Sequence, residues 1–156
     1  MLSPRLAGRY AKSLVDLAQE KGSLEQVYQD MLHLQLVIRS SREFVALIKS
    51  PVIKADKKNA ILEAVTRGKV SEMTAGFNRL LVSKGREAVL PEIVTAFIEQ
   101  YYQIKGIQKV KLTTAVEASE ELKKNIARKL ASEAGMDKID LETKVDPSLV
   151  GGFVLE

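Results

Sequence analysis

Apolar residues recur along the first two thirds of the chain at intervals of three and four. From Leu6 the run Leu6, Tyr10, Leu14 and Leu17, flanked by Ala7, Ala11 and Ala18, draws one stripe along a helix. Gly22 ends it. Ser23, with Glu25 and Gln26 behind it, predicts the cap of a second helix carrying Leu24, Val27, Tyr28, Met31, Leu32, Leu34, Val37 and Ile38. A short third helix is expected around Phe44, Val45, Leu47 and Ile48. It stops at Ser50-Pro51, because a residue before proline is pushed out of helical geometry. A fourth, from about Lys54, should bury Ile61, Leu62 and Val65 and end near Gly68. A fifth runs from Ser71 to Lys84 on Met73, Phe77, Leu80 and Leu81 and closes at Gly85. A sixth takes Pro91 into its first turn, where a missing N–H costs nothing, and continues through Ile93, Val94, Phe97, Ile98, Tyr101 and Ile104 to Gly106. Six helices with connections this short predict a compact bundle.

After Gly106 the period falls to two. Val110, Leu112, Thr114 and Val116 alternate with Lys109, Lys111, Thr113 and Ala115, which is strand spacing. Ser119 then opens a helix with Glu120 and Glu121 in its first turn and Leu122, Ile126 and Leu130 on its apolar face, ending at Gly135. Ile139, Leu141, Thr143 and Val145 mark a second, half-buried strand. Asp146-Pro147-Ser148 turns the chain, and a third strand is expected from Leu149. The predicted fold is therefore mainly α: a six-helix amino-terminal bundle over residues 1–105, then a small α/β domain (β-α-β-β) over 106–156, hinged near Gly106. The chain ends on "VDPSLVGGFVLE", inside an apolar run, so the small domain is expected to be truncated. Gly151 and Gly152 would permit a bulge or a close backbone approach there.

Composition narrows the function classes. A chain of 156 residues can bury a sizeable core, and the absence of cysteine excludes a disulfide framework and a thiolate zinc site. No apolar run approaches the roughly 20 residues that span a bilayer. The start, "MLSPRLAGRYAKSL", has no apolar core followed by a small-residue cleavage site and runs straight into helical periodicity. Neither a secretory signal nor a transit peptide is expected, and an intracellular setting follows. The net charge of +4 is unevenly spread: residues 1–105 carry 16 basic against 11 acidic side chains, and the remainder 8 against 9. A basic front half meets nucleic acid or an acidic protein surface, or is simply a set of solvated helix faces.

Catalytic chemistry is missing. His33 is the single histidine and has no second imidazole to share a metal or a proton. "GKVS" at 68–71 resembles the end of a phosphate loop, but Glu63 stands where that loop needs its first glycine, and a helix precedes it where a strand should be. No dinucleotide-binding glycine pattern and no nucleophile elbow occurs, so no cofactor is expected. Nucleic-acid binding is the competing reading, since Arg39 to Arg86 holds 11 basic residues and 4 acidic ones. A stacking surface wants exposed aromatics, and Phe44 and Phe77 lie on apolar stripes instead.

Four stretches resemble one family. "AGRYAKSLVDLAQEKG" at 7–22, "SPVIKADKKNAIL" at 50–62, "FNRLLVSKGREAVLPEIVTAF" at 77–97 and the terminal "VDPSLVGGFVL" are similar, in order and spacing, to the delta subunit of rotary ATP synthases, whose mitochondrial counterpart is the oligomycin-sensitivity-conferring protein. The resemblance implies a six-helix bundle followed by a small α/β domain, and a mechanical role without an active site. It implies a stator subunit that joins the catalytic head to the peripheral stalk, so that the head resists rotor torque. The implied partners are the amino-terminal amphipathic helix of an alpha subunit, in a groove between the first and fifth helices, and the carboxy-terminal region of the b-subunit stalk, met by the small domain. No nucleic acid is implied, and membrane association comes only through the complex. With no transit peptide expected, that places the chain at the cytoplasmic face of a bacterial plasma membrane. On the groove so implied, the expected contacts are Leu6, Tyr10, Ser13 and Leu14 of the first helix and Phe77, Leu80 and Lys84 of the fifth, with Tyr10 and Phe77 as anchors. The alternative is an unrelated helical adaptor or RNA-binding module that uses the basic surface.

Overall fold

The computed structural model describes residues 4–117, 119–134, 139–149 and 152–156. They are mainly helical with a small three-stranded sheet. The order is α1 (Pro4–Glu20), α2 (Leu24–Ser40), α3 (Arg42–Lys49), α4 (Ala55–Thr66), α5 (Glu72–Ser83), α6 (Leu90–Lys105), β1 (Gln108–Thr114), α7 (Glu120–Ala134), β2 (Ile139–Val145) and β3 (Phe153–Leu155). The chain divides into two compact units, Met1–Tyr101 and Tyr102–Glu156.

In the first unit, Ala7, Ala11 and Ala18 face inward from α1 with Leu14 and Val15, and the small side chains let that helix sit close against its neighbours. Met31 and Leu34 of α2, Ile48 of α3, Leu81 of α5 and Ile93 and Phe97 of α6 are fully buried with them. Each such side chain contributes about 1.5–3 kcal/mol by leaving water. Both helices that matter below end on a left-handed glycine. At Gly22, φ is 67° and Ser23 N–H bonds Ala18 C=O at 2.8 Å; at Gly85, φ is 67° and Arg86 N–H bonds Leu81 C=O at 2.8 Å.

Local details differ from the periodicity. Ser23 precedes α2 but makes no side-chain cap; its hydroxyl turns to the Met73 sulfur at 3.8 Å instead. On α4 the buried stripe is Lys58, Leu62 and Thr66, while Ile61 and Val65 are half-buried. The helix is turned because the Lys58 ammonium meets the Glu87 carboxylate at 2.5 Å in the interior, and an unpaired buried ammonium would be far more costly. A 3₁₀ turn, Glu87–Val89, delivers that glutamate ahead of α6.

In the second unit β1 is the central strand. It pairs parallel to β2 (Val110 opposite Leu141, Leu112 opposite Thr143) and antiparallel to β3 (Leu112 opposite Leu155, Thr114 opposite Phe153). Parallel neighbours need a crossover, and α7 supplies it, opened by Ser119, whose hydroxyl oxygen accepts from Leu122 N–H at 3.2 Å. Val110, Leu112 and Thr114 are buried on one face, with Ile126 of α7 buried too. The alternation stops short of Val116, which lies past the end of β1 and is 74% exposed. The third strand starts later than Leu149, which is held in a turn by its N–H bond to Asp146 C=O. Ser148 donates to the Asp146 carboxylate from its hydroxyl (2.6 Å) and its backbone (3.0 Å), which holds that carboxyl below its ordinary range. Gly152 adopts φ 71° just before β3; Gly135 and Gly151 lie outside the described residues.

Candidate functional site

A groove of about 430 Å³ opens between α1 and α5 in the first unit. Tyr10, Ser13, Leu14 and Leu17 line it from α1, one helical stripe at spacings of three and four; Glu72, Met73, Gly76, Phe77 and Leu80 line it from α5 with the same spacing. The floor is deep: Leu14 is 2% and Phe77 9% exposed. The walls are wet apolar surface, with Leu17 at 42% and Leu80 at 44%. Tyr10 meets Phe77 edge to face, with ring centroids 6.4 Å apart and planes at 71°. Ser13 donates its hydroxyl to Arg9 C=O one turn back at 3.0 Å, so it offers the groove a small surface without a donor in need of a partner.

The structure thus brings Tyr10, Ser13, Leu14, Phe77 and Leu80 around one concavity. Leu6, half-buried earlier on α1, and Lys84, exposed just past the end of α5, stand outside its lining. Glu72 is the charged residue of the lining and carries its own counter-ion, Arg79 at 2.5 Å. Concave and chiefly apolar, with the Ser13 hydroxyl bonded to Arg9 C=O and Glu72 paired with Arg79, the groove is suited to holding an apolar helix face.

What aims α5 at this groove was missed in the sequence. Asp30 of α2 is fully buried, and its Oδ2 accepts from Ser71 N–H (3.0 Å), Ser71 Oγ (2.5 Å) and Thr74 Oγ1 (2.6 Å), while Oδ1 accepts from Gln26 Nε2 (2.9 Å). A carboxylate from a neighbouring helix caps the first turn of α5, where the free N–H groups and the helix dipole favour negative charge. A signal was present: Val27, Asp30, Met31 and Leu34 form one stripe, so this carboxylate had to face inward and find donors.

The other candidates resolve into structure. His33 donates from Nε2 to Val65 C=O at 2.9 Å, joining α2 to the last turn of α4. "GKVS" is the turn from α4 to α5. Phe44 is 4% exposed, so neither aromatic of the basic stretch offers an open stacking platform. Among the described residues no group of three or more metal-ligating side chains converges.

A family model described as ATP synthase delta (OSCP) subunit matches residues 6–156. An ATP synthase subunit delta of Cytophaga hutchinsonii is 42% identical over 156 residues, all of this chain and 85% of that protein. A chloroplastic ATP synthase delta chain of Chlamydomonas reinhardtii is 37% identical over 148 residues, 94% of this chain and 68% of that one. In fold, the chain resembles one chain of the Toxoplasma gondii mitochondrial ATP synthase hexamer, with a TM-score of 0.79 at 22% identity, over 96% of this chain and 83% of that chain.

Proposed function

Because the chain belongs to the ATP synthase delta (OSCP) subunit family, we propose that its α1–α5 groove takes the amino-terminal amphipathic helix of an alpha subunit. The chain is a non-catalytic stator subunit of the ATP synthase complex, part of the peripheral stalk that holds the catalytic head against the rotor. A stator joint must resist torque without doing chemistry, and a helix seated in a groove does so with complementary anchors alone. In this reading α1–α6 form a six-helix bundle that grips the head. The small α/β domain that follows meets the carboxy-terminal region of the b-subunit stalk. Among the described residues no helix is long and apolar enough to cross a membrane, and we place the chain at the cytoplasmic face of a bacterial plasma membrane, held there by the complex.

The observation that carries the proposal is the pair of wet leucines, Leu17 and Leu80, over the buried floor of Leu14 and Phe77. A partner helix that covers both walls gains about 25 cal/mol for each Å² of apolar surface it removes from water. Truncating an anchor in such a seat costs about 2 kcal/mol, roughly thirtyfold in affinity. The test titrates a peptide from an alpha-subunit amino terminus into the parent chain and into Tyr10→Ala and Leu80→Ala by calorimetry, with unfolding midpoints alongside. Both variants should lose affinity while Leu80→Ala keeps its stability. Normal peptide binding by both variants rules the groove out.

A further inference from the structure

On the side of α5 that packs against α4, a second and smaller cavity of about 60 Å³ is lined by Asn59, Leu62 and Thr66 of α4 and by Ala75 and Asn78 of α5, with Glu63 and Arg79 at its edge. Asn78 is 3% exposed, and neither its Nδ2 nor its Oδ1 has a hydrogen-bond partner among the described residues. An amide stripped of water with both ends unpaired is strongly disfavoured, and buried polar side chains are with few exceptions satisfied. Leucine has the same branched shape and number of side-chain heavy atoms without that cost; with both ends of the amide unpaired, its partner has to come from outside the described protein atoms.

We propose that this cavity binds ordered water, which bridges Asn78 to α4. The chemistry of the amide selects the ligand. An anion would pair with Nδ2 and leave Oδ1 orphaned; a cation would do the reverse. Water accepts from Nδ2 and donates to Oδ1. The space exceeds the roughly 10–15 Å³ that one water requires. A further partner is present in Thr66, whose hydroxyl donates to Leu62 C=O at 2.7 Å and so keeps its lone pairs for an incoming O–H. Asn59 adds a second amide on the α4 side. The bridge ties α4 to α5 at the residue that follows Phe77, and so fixes the rotation of α5 that turns Phe77 toward the partner groove and Asn78 away from it. It does not depend on which partner fills that groove.

The experiment measures magnetisation transfer between water and the Asn78 side-chain amide protons in the isotope-labelled full chain. Those protons are identified by through-bond assignment in the parent and by their loss in Asn78→Leu. Bound water gives dipolar cross-peaks of opposite sign in the laboratory and rotating frames, the mark of a contact that outlasts the sub-nanosecond exchange of surface water. Their absence at the assigned Asn78 protons overturns the proposal. The parent spectrum decides even where Asn78→Leu does not fold.

Discussion

The two units spend their apolar residues differently. The one ending at Tyr101 closes around Leu34, Ile48, Leu81 and Phe97, all fully buried, and still shows water two leucines across the α1–α5 groove. The one beginning at Tyr102 buries Val110, Leu112 and Ile126, yet leaves all of β3 open, with Phe153 at 53%, Val154 at 42% and Leu155 at 38%. The exposed leucines and exposed β3 are open to water to a similar degree, but their meanings diverge. On a unit whose core is already closed, a concave apolar patch is surface available to a partner. On a unit with few buried side chains among its described residues, exposed apolar residues signal a thin core and low local stability.

The largest effect that separates the two is truncation. Phe97→Ala should lower stability by about 3–5 kcal/mol, because the ring's burial is lost and a cavity remains, whereas Phe153→Ala, on a half-exposed ring, should cost under about 1 kcal/mol. Urea unfolding monitored by amide exchange reads both; equal losses would erase the contrast.

A smaller effect sharpens the meaning of the groove. Gly76 lies inside α5, where glycine is about 0.5–1 kcal/mol worse than alanine, and a Cβ there would meet only Arg79 Nη2 at an ordinary 3.7 Å. No internal contact requires the glycine, yet it lines the groove. Gly76→Ala should therefore raise the unfolding midpoint while weakening alpha-peptide binding, since the added methyl stands where the partner helix must approach. A rise in stability with unchanged affinity would show that the partner keeps its distance from α5.

The last effect is electrostatic and belongs to the first unit alone. Tyr101 stacks on Tyr28 with centroids 3.7 Å apart and donates its hydroxyl to Glu25 at 2.6 Å. Burial, and then that bond to a carboxylate, push its pKa from 10.0 up to about 12. The folded state thus holds the phenolic proton more tightly than the unfolded chain. The resulting stability is complete below pH 10 and fades as pH rises from 10 toward 12. Comparing the parent with Tyr101→Phe across that range should show an alkaline loss in the parent that the variant lacks.

Much of this was legible in the residues, and the reasons for the gaps are physical. Helices α1 to α6 announce themselves because each buries one face, which imposes the 3.6 period, and because glycines such as Gly22 and Gly85 end them. The residues that aim the groove were harder to read. Asp30 lies on an inward stripe, but its donors Ser71 and Thr74 come from far along the chain, and Lys58 looks like a surface charge until its acceptor Glu87 is known. Ser23 satisfies the pattern of a cap but bonds Met73, a preference set by a tertiary neighbour. Gly76 carries no hydrophobic signal and acquires a role only beside Ser13 and Phe77. Leu6 and Lys84 sit on the extrapolated stripes of α1 and α5, but the concavity closes before it reaches them.

The most direct test maps the contact itself. In the methyl-labelled full chain, an unlabelled alpha-subunit amino-terminal peptide should shift the methyl signals of Leu14, Leu17, Met73 and Leu80 in proportion to occupancy. Leu36 and Val52, exposed at 64% and 86% away from the groove, should stay in place. Shifts at Leu36 or Val52, with the groove methyls unmoved at saturation, would contradict the account.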